Sequence, residues 1–211
     1  MKNIMEKKQK IAIILPLIIL ITMLGVFHGL SFIFNRAILF DKEIAWYVGF
    51  WIYWPIYCLI IPFLLLGKDD FKSIFQRKKQ TISTLSLNII PFLITIIGMI
   101  FILDNKEKSL MEIIIIIFYS FGNGFFEEIL WRGLYAKLFE NKIILGYLWP
   151  TIWFSLWHIA PGTLSISFMV TLCIGALIYG VCWGWSAYKT KSIIYSGLSH
   201  TSTGLIQIFS F

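Results

Sequence analysis

Five side chains in this sequence are of the types and spacing that could share one piece of acid–base chemistry: Glu127, Glu128 and Arg132 in one apolar segment, and His158 and His200 in two later ones. Two carboxylates and one guanidinium within two helical turns carry one uncompensated negative charge. Glu128 and Arg132 stand i,i+4, on one helical face with the acid on the N-terminal side, the order that favours an ion pair. On an α-helix Glu127 is rotated by about 100° from Glu128 and cannot share that pairing equally. One carboxylate is then held by the arginine and the other is left for another task. A carboxylate in that position, with imidazoles near it, suits a general base that takes a proton from water.

The elements that carry these residues must be membrane helices. Of the 211 residues 58% are hydrophobic and 14% charged, whereas soluble domains carry about a quarter charged residues. Apolar stretches recur at 11–32, 44–66, 83–103, 110–138, 143–160, 165–187 and 191–210, each near the length of about 20 residues that a helical span needs. The sequence therefore predicts an all-α, polytopic membrane helix bundle of about seven transmembrane helices, with 1–211 as a single integral membrane domain. No repeat or linker divides it. Between the second and third spans, Lys68 to Gln80 reads as a basic amphipathic stretch at the membrane surface, with Phe71, Ile74 and Phe75 toward the membrane and Lys72, Arg77, Lys78 and Lys79 toward water.

Depth estimates bring the ionisable residues to one level. Glu127 lies ten residues before Lys137, about 15 Å of helix and about half of the hydrocarbon core. A charge there costs at least about 2.5–3.5 kcal/mol, so a functional reading takes precedence over helix locking or boundary marking. His200 follows Lys191 by nine residues. His158 is sixteen residues beyond Lys142, but a helix starting at Pro150, a residue favoured in the first turn, puts it at a similar depth. His28, near the far end of the first span, is assigned to packing. Ser199 neighbours His200, but adjacent helix positions point about 100° apart, which leaves it without the base a nucleophile needs.

Charge and sulfur chemistry exclude other classes. The net charge of +7 comes from Lys and Arg at the ends of apolar segments, where they meet anionic head groups, so lipids are the expected partner and nucleic acid is not. With the N-terminus inside, thirteen basic residues fall on the inner side and four, Arg36, Lys42, Lys106 and Lys108, on the outer. That bias predicts a multi-pass protein of the cell membrane with a cytoplasmic N-terminus and an outside C-terminus. The N-terminal basic run and long apolar segment, without a small-residue cleavage site, read as a retained first helix. Cys58, Cys173 and Cys182 have no metal-ligand spacing and read as reduced core thiols. Trp46, Tyr47, Trp51, Tyr53 and Trp54 read as interfacial anchors, and Gly180 and Gly184 as a GxxxG seam for packing within the molecule.

The cluster resembles the motifs of a known family, the CPBP intramembrane proteases, which comprise the CAAX-processing Rce1-like enzymes and bacterial relatives associated with bacteriocin processing and self-immunity. The first motif is similar to Glu127-Glu128-Ile129-Leu130-Trp131-Arg132 and the second to Phe154-Ser155-Leu156-Trp157-His158. The third, histidine with asparagine four positions later, reads His200-Thr201-Ser202-Thr203-Gly204, so the asparagine is missing. Either Ser202, Thr203 or a water substitutes for it, or the protein is slow or inactive. The resemblance covers about 83–204 as the catalytic core.

The resemblance implies peptide hydrolysis. In that scheme Glu127 and His158 hold and deprotonate a water, Glu128 and Arg132 position them, and His200 steadies the oxyanion. The implied substrate is a membrane-associated peptide or protein, such as a leader peptide, bacteriocin or pheromone precursor. Glu127, His158 and His200 would also satisfy a zinc site with an open position, but there is no HExxH, and metal-free water activation is favoured. Two readings from other classes stand beside the protease: a non-catalytic relative acting as a membrane binding partner in immunity or signalling, and a small ion- or proton-coupled transporter. The transporter lacks the repeated or broken helices of that class.

Overall fold

The computed structural model describes residues 2–36, 42–100, 108–161 and 166–209, and among these every regular element is a helix. Apolar side chains stabilise this choice because a helix satisfies its own backbone hydrogen bonds where lipid cannot. Helix α1 is Lys2–Arg36. Helix α2 is continuous through Lys42–Tyr53, a π-wound turn Trp54–Ile60 and Ile61–Leu66. It ends at Gly67, whose φ of 80° lies where only glycine is unstrained. Helix α3 is Lys68–Ser73 and α4 is Ile82–Ile100.

Helix α5 runs through Leu110–Phe121, Gly122–Glu127, Ile129–Leu134 and Tyr135–Leu138. It starts at a capping box in which the Ser109 side chain accepts from Glu112 N and Glu112 returns a bond to Ser109 N. Helix α6 is Ile144–Leu148 and Trp149–Trp157, α7 is Ile166–Thr190, and α8 is Ile194–Leu205 continued as a 3₁₀ turn over Ile206–Phe209.

Five stretches among the described residues are long and apolar enough to cross a membrane: Asn3–Ile33, Tyr47–Leu66, Ile82–Met99, Leu110–Leu138 and Met169–Thr190. The protein is a multi-pass membrane helix bundle. The two remaining expected spans are the shorter helices α6, about 21 Å long, and α8. Both are packed among the others rather than free-standing: α6 lies on α7, and α8 on α4, α5 and α7.

Large apolar residues face outward as well as inward, and Glu127, Glu128 and Arg132 are buried among the inner ones. Ile82, Ile166 and Leu110 are among the large apolar residues turned outward. The centre is filled by Trp54, Trp131, Trp157, Trp183, Tyr53, Tyr135, Phe139 and Phe154. Tyr53 and Trp54 are therefore core residues and not interfacial anchors: the Tyr53 ring stacks on Trp157 of α6, and Trp54 packs on Tyr119 and Phe126 of α5. Trp51, 57% exposed, keeps the outward position expected of an anchor, while Lys106 and the side chain of Trp46 lie outside the described residues.

The basic stretch differs from a lone surface helix. Only Lys68–Ser73 is helical, and Ile74 turns into the protein, fully buried beside Gly133 and Ile193. Ile193 N donates to Ile74 O at 2.9 Å, which ties this strap to the start of α8.

Candidate active site

Glycines set how closely α8 can approach α5. A Cβ on Gly124 would lie 2.0 Å from Thr201 Oγ1 and 2.6 Å from Thr201 N, so the two backbones touch at this crossing. Gly197 meets Phe125 and Gly204 meets Ser120 on the same seam. Close backbone approach through small residues is a recurrent means of joining helices in lipid. Its consequence here is that His200, one turn along α8 from Gly197, is delivered directly onto the acidic turn of α5.

That acidic turn is not plain α-helix. Gly122–Glu127 and Ile129–Leu134 are both π-wound, a geometry that shifts the phase of the side chains beyond it and is common at functional sites. Glu127, Glu128 and Arg132 are 2%, 0% and 2% exposed. Arg132 Nη1 lies 3.2 Å from Glu128 Oε1, off the direction of an aligned hydrogen bond. The expected Glu128–Arg132 pair is present, and the guanidinium also sits over the Phe154 ring at 3.9 Å.

His200 joins the two acids. Its Nδ1 is 3.3 Å from Glu128 Oε1 and its Nε2 is 3.9 Å from Glu127 Oε2. A carboxylate accepts, so the short contact makes Nδ1 the donor and turns Nε2 toward Glu127. At 3.9 Å Nε2 and Oε2 share no direct hydrogen bond, and the gap between them is one that a water can bridge. The ring is held flat against Trp183, with centroids 4.1 Å apart and planes within 20°. Trp183 Nε1 in turn donates to Ser199 Oγ at 2.9 Å, and Ser199 Oγ donates to Asn88 O. A buried polar chain thus reaches from α4 to the imidazole.

The other oxygen of Glu127 is occupied by an aromatic donor. Trp157 Nε1 donates to Glu127 Oε1 at 3.0 Å. His158, expected beside Glu127, makes no hydrogen bond or ion pair to either glutamate. It caps the end of α6, which begins at Ile144 and not at Pro150, and its Nδ1 donates to Phe154 O at 2.7 Å. In the neutral ring Nε2 therefore carries the free lone pair. Phe154 connects the parts: His158 and His200 both meet its ring edge-on, at 4.8 and 6.1 Å, which puts the two imidazoles and Arg132 around one phenyl group. His28 is exposed on α1, away from this cluster.

Residues 109–206 match the family of Rce1-like type II CAAX prenyl endopeptidases. Over this stretch the chain is similar to that family. The match covers just under half of the sequence, from the cap of α5 to the end of α8, and contains all five expected site residues, while α1, α2 and α4 lie outside it. Neither the curated proteins nor the solved structures contain a significant match.

The Rce1-like core departs from the expected third motif in an intelligible way. Position 204 faces Ser120, whose Oγ, Cβ and Cα would lie 2.8–3.1 Å from an added Cβ. An asparagine there requires α8 to move off α5. The hydroxyls named as substitutes serve the helix itself: Ser202 Oγ donates to Leu198 O and Thr203 Oγ1 to His200 O.

Among the described residues no three His, Cys, Asp or Glu side chains form a group able to hold a metal ion. Glu127 and His200 approach each other, but His158 is held apart through Phe154, so the expected trio does not fit a zinc site in this arrangement. Three participants escaped the sequence reading: Trp157, Trp183 and Tyr53. The signal that could have found the two indoles is that a buried Trp N–H usually finds an acceptor, although the rule is not strict here, since the N–H groups of Trp54 and Trp149 are buried without one.

Proposed function

We propose that the protein is an intramembrane endopeptidase that hydrolyses a membrane-associated peptide or protein with water activated by Glu127. The observation that carries the reading is the contact of one imidazole with two buried carboxylates inside the Rce1-like core. Glu127 Oε1 is fixed by Trp157, which leaves Oε2 and the facing Nε2 of His200 as the pair that can share a proton with water. Glu127 takes that proton, the resulting hydroxide adds to the scissile carbonyl carbon, and the oxyanion accepts a hydrogen bond from Nε2–H of His200 in its imidazolium form. The C–N bond then breaks, and the amine leaves with the proton that Glu127 had taken. His158, with its Nε2 lone pair, is the second group offered to the water. Glu128 and Arg132 orient His200 and hold the local charge.

In this proposal the thirteen-to-four distribution of basic residues places the N-terminus in the cytoplasm and the C-terminus outside, and no step passes through a metal. Leader peptides, bacteriocins and pheromone precursors are substrates of suitable chemistry for a compact core of this kind.

The test is cleavage of a quenched fluorescent peptide library by purified protein in nanodiscs, wild type against Glu127→Gln, with and without chelator. Cleavage that falls about 10²–10⁴-fold in the variant and survives the chelator supports the proposal; cleavage lost to the chelator replaces the metal-free step. A second reading, a non-catalytic membrane binding partner, is favoured by one observation, the Gly204–Ser120 contact where the family motif has a polar side chain. It takes precedence if folded wild-type protein cleaves nothing.

A further inference from the structure

Helix α2 lies outside the Rce1-like stretch, yet its Tyr53 is fully buried against the glutamates. The ring stacks on Trp157 with centroids 3.9 Å apart and planes within 20°, and Trp157 is the indole that binds Glu127 Oε1. The Tyr53 hydroxyl oxygen accepts Trp131 Nε1–H at 2.8 Å. An indole can only donate, so the phenol keeps its own hydrogen to give. Buried without an acceptor, that hydrogen would cost on the order of 1–3 kcal/mol. The Cys58 thiol and the Glu127 carboxyl both lie within its reach, and of the two a carboxylate is much the stronger acceptor. An apolar residue at position 53 would fill the same space at no such risk.

We propose that Tyr53 is a positioning residue for Glu127: its ring fixes the Trp157 indole, and its hydroxyl, oriented by Trp131, offers a hydrogen to the same carboxyl group. Oε2 is then the oxygen left to face His200 and water. A helix outside the family match thereby selects which oxygen of Glu127 does the chemistry. The catalytic consequence rests on the endopeptidase reading, whereas the contact itself does not.

The experiment is an infrared difference spectrum of Tyr53→Phe minus wild type in nanodiscs, repeated in the Glu127→Gln background, with Tyr57→Phe as control. Tyr57 is one turn away and pairs with Thr22. The expected result is a carboxyl band in the Tyr53→Phe difference that vanishes in the Glu127→Gln background and is absent from the control. A difference spectrum without a carboxyl band, or with one indifferent to Glu127→Gln, overturns the proposal. Trp131→Phe, which removes only the N–H that orients the hydroxyl, is expected to reproduce the band, so a folding defect in one variant does not decide the matter. Where the wild type cleaves peptide, Tyr53→Phe lowers kcat about tenfold or more with KM unchanged, and an unchanged kcat also overturns it. A wild type that cleaves nothing removes the endopeptidase reading and leaves the infrared result to decide the contact.

Discussion

The two histidine-bearing helices meet α5 in opposite ways. Helix α8 comes in over glycines, with backbone against backbone at Gly124 and Thr201, and its His200 reaches both carboxylates. Helix α6 comes in over Phe154 and Trp157, two of the largest buried side chains, and its His158 reaches neither. Side-chain size at the crossing decides which imidazole contacts the acids and which stands apart from them. The bulky crossing substitutes an indole for the imidazole: Trp157, not His158, takes the inner oxygen of Glu127.

The most severe way to break this contrast is to make the α8 crossing bulky. Gly124→Leu cannot be accommodated beside Thr201 without separating the helices, and overpacking of this degree exceeds the usual 1–3 kcal/mol. The expected outcome is loss of the monodisperse folded protein on size exclusion, with all cleavage lost. A Gly124→Leu protein that melts and cleaves like wild type would show that the crossing is looser than described.

Removing the imidazoles singly sharpens the comparison. His200→Ala deletes a group bonded to Glu128 and facing Glu127, and is expected to lower kcat about 10²–10³-fold, the scale for one preorganised donor. His158→Ala deletes a group that contacts neither acid, so its loss is expected to be smaller and to leave thermal stability closer to wild type. Initial rates and melting midpoints of the two variants measure this, and equal effects would remove the asymmetry.

Gly204→Asn restores the family motif in sequence but inserts a side chain against Ser120. Its expected effect is a destabilisation of about 1–3 kcal/mol with no gain in rate, read from denaturation and turnover together. The smallest effect belongs to the relay behind the ring: Ser199→Ala removes the acceptor of Trp183 Nε1 and is expected to cost about 1 kcal/mol, seen as a several-fold fall in kcat at constant KM.

Much of the fold was legible because lipid constrains it so tightly. Apolar runs located the helices, and charges that such runs should not contain located Glu127, Glu128 and Arg132. The i,i+4 relation of Glu128 to Arg132 is local, and the ion pair follows from it. Tyr53 was misread for a physical reason: an aromatic near the end of an apolar run suits the membrane interface and the protein core equally well, and only the packing of α2 against α6, where the ring stacks on Trp157, distinguishes them.

The sequence by itself thus determined the helical class, the membrane setting and the identities of the ionisable residues, since these depend on composition and on contacts within one helix. Which imidazole meets the acids, which oxygen of Glu127 is occupied, and why position 204 has no side chain were decided only by tertiary structure. Each depends on the distance between two helices, and that distance is set by the summed size of side chains far apart in sequence.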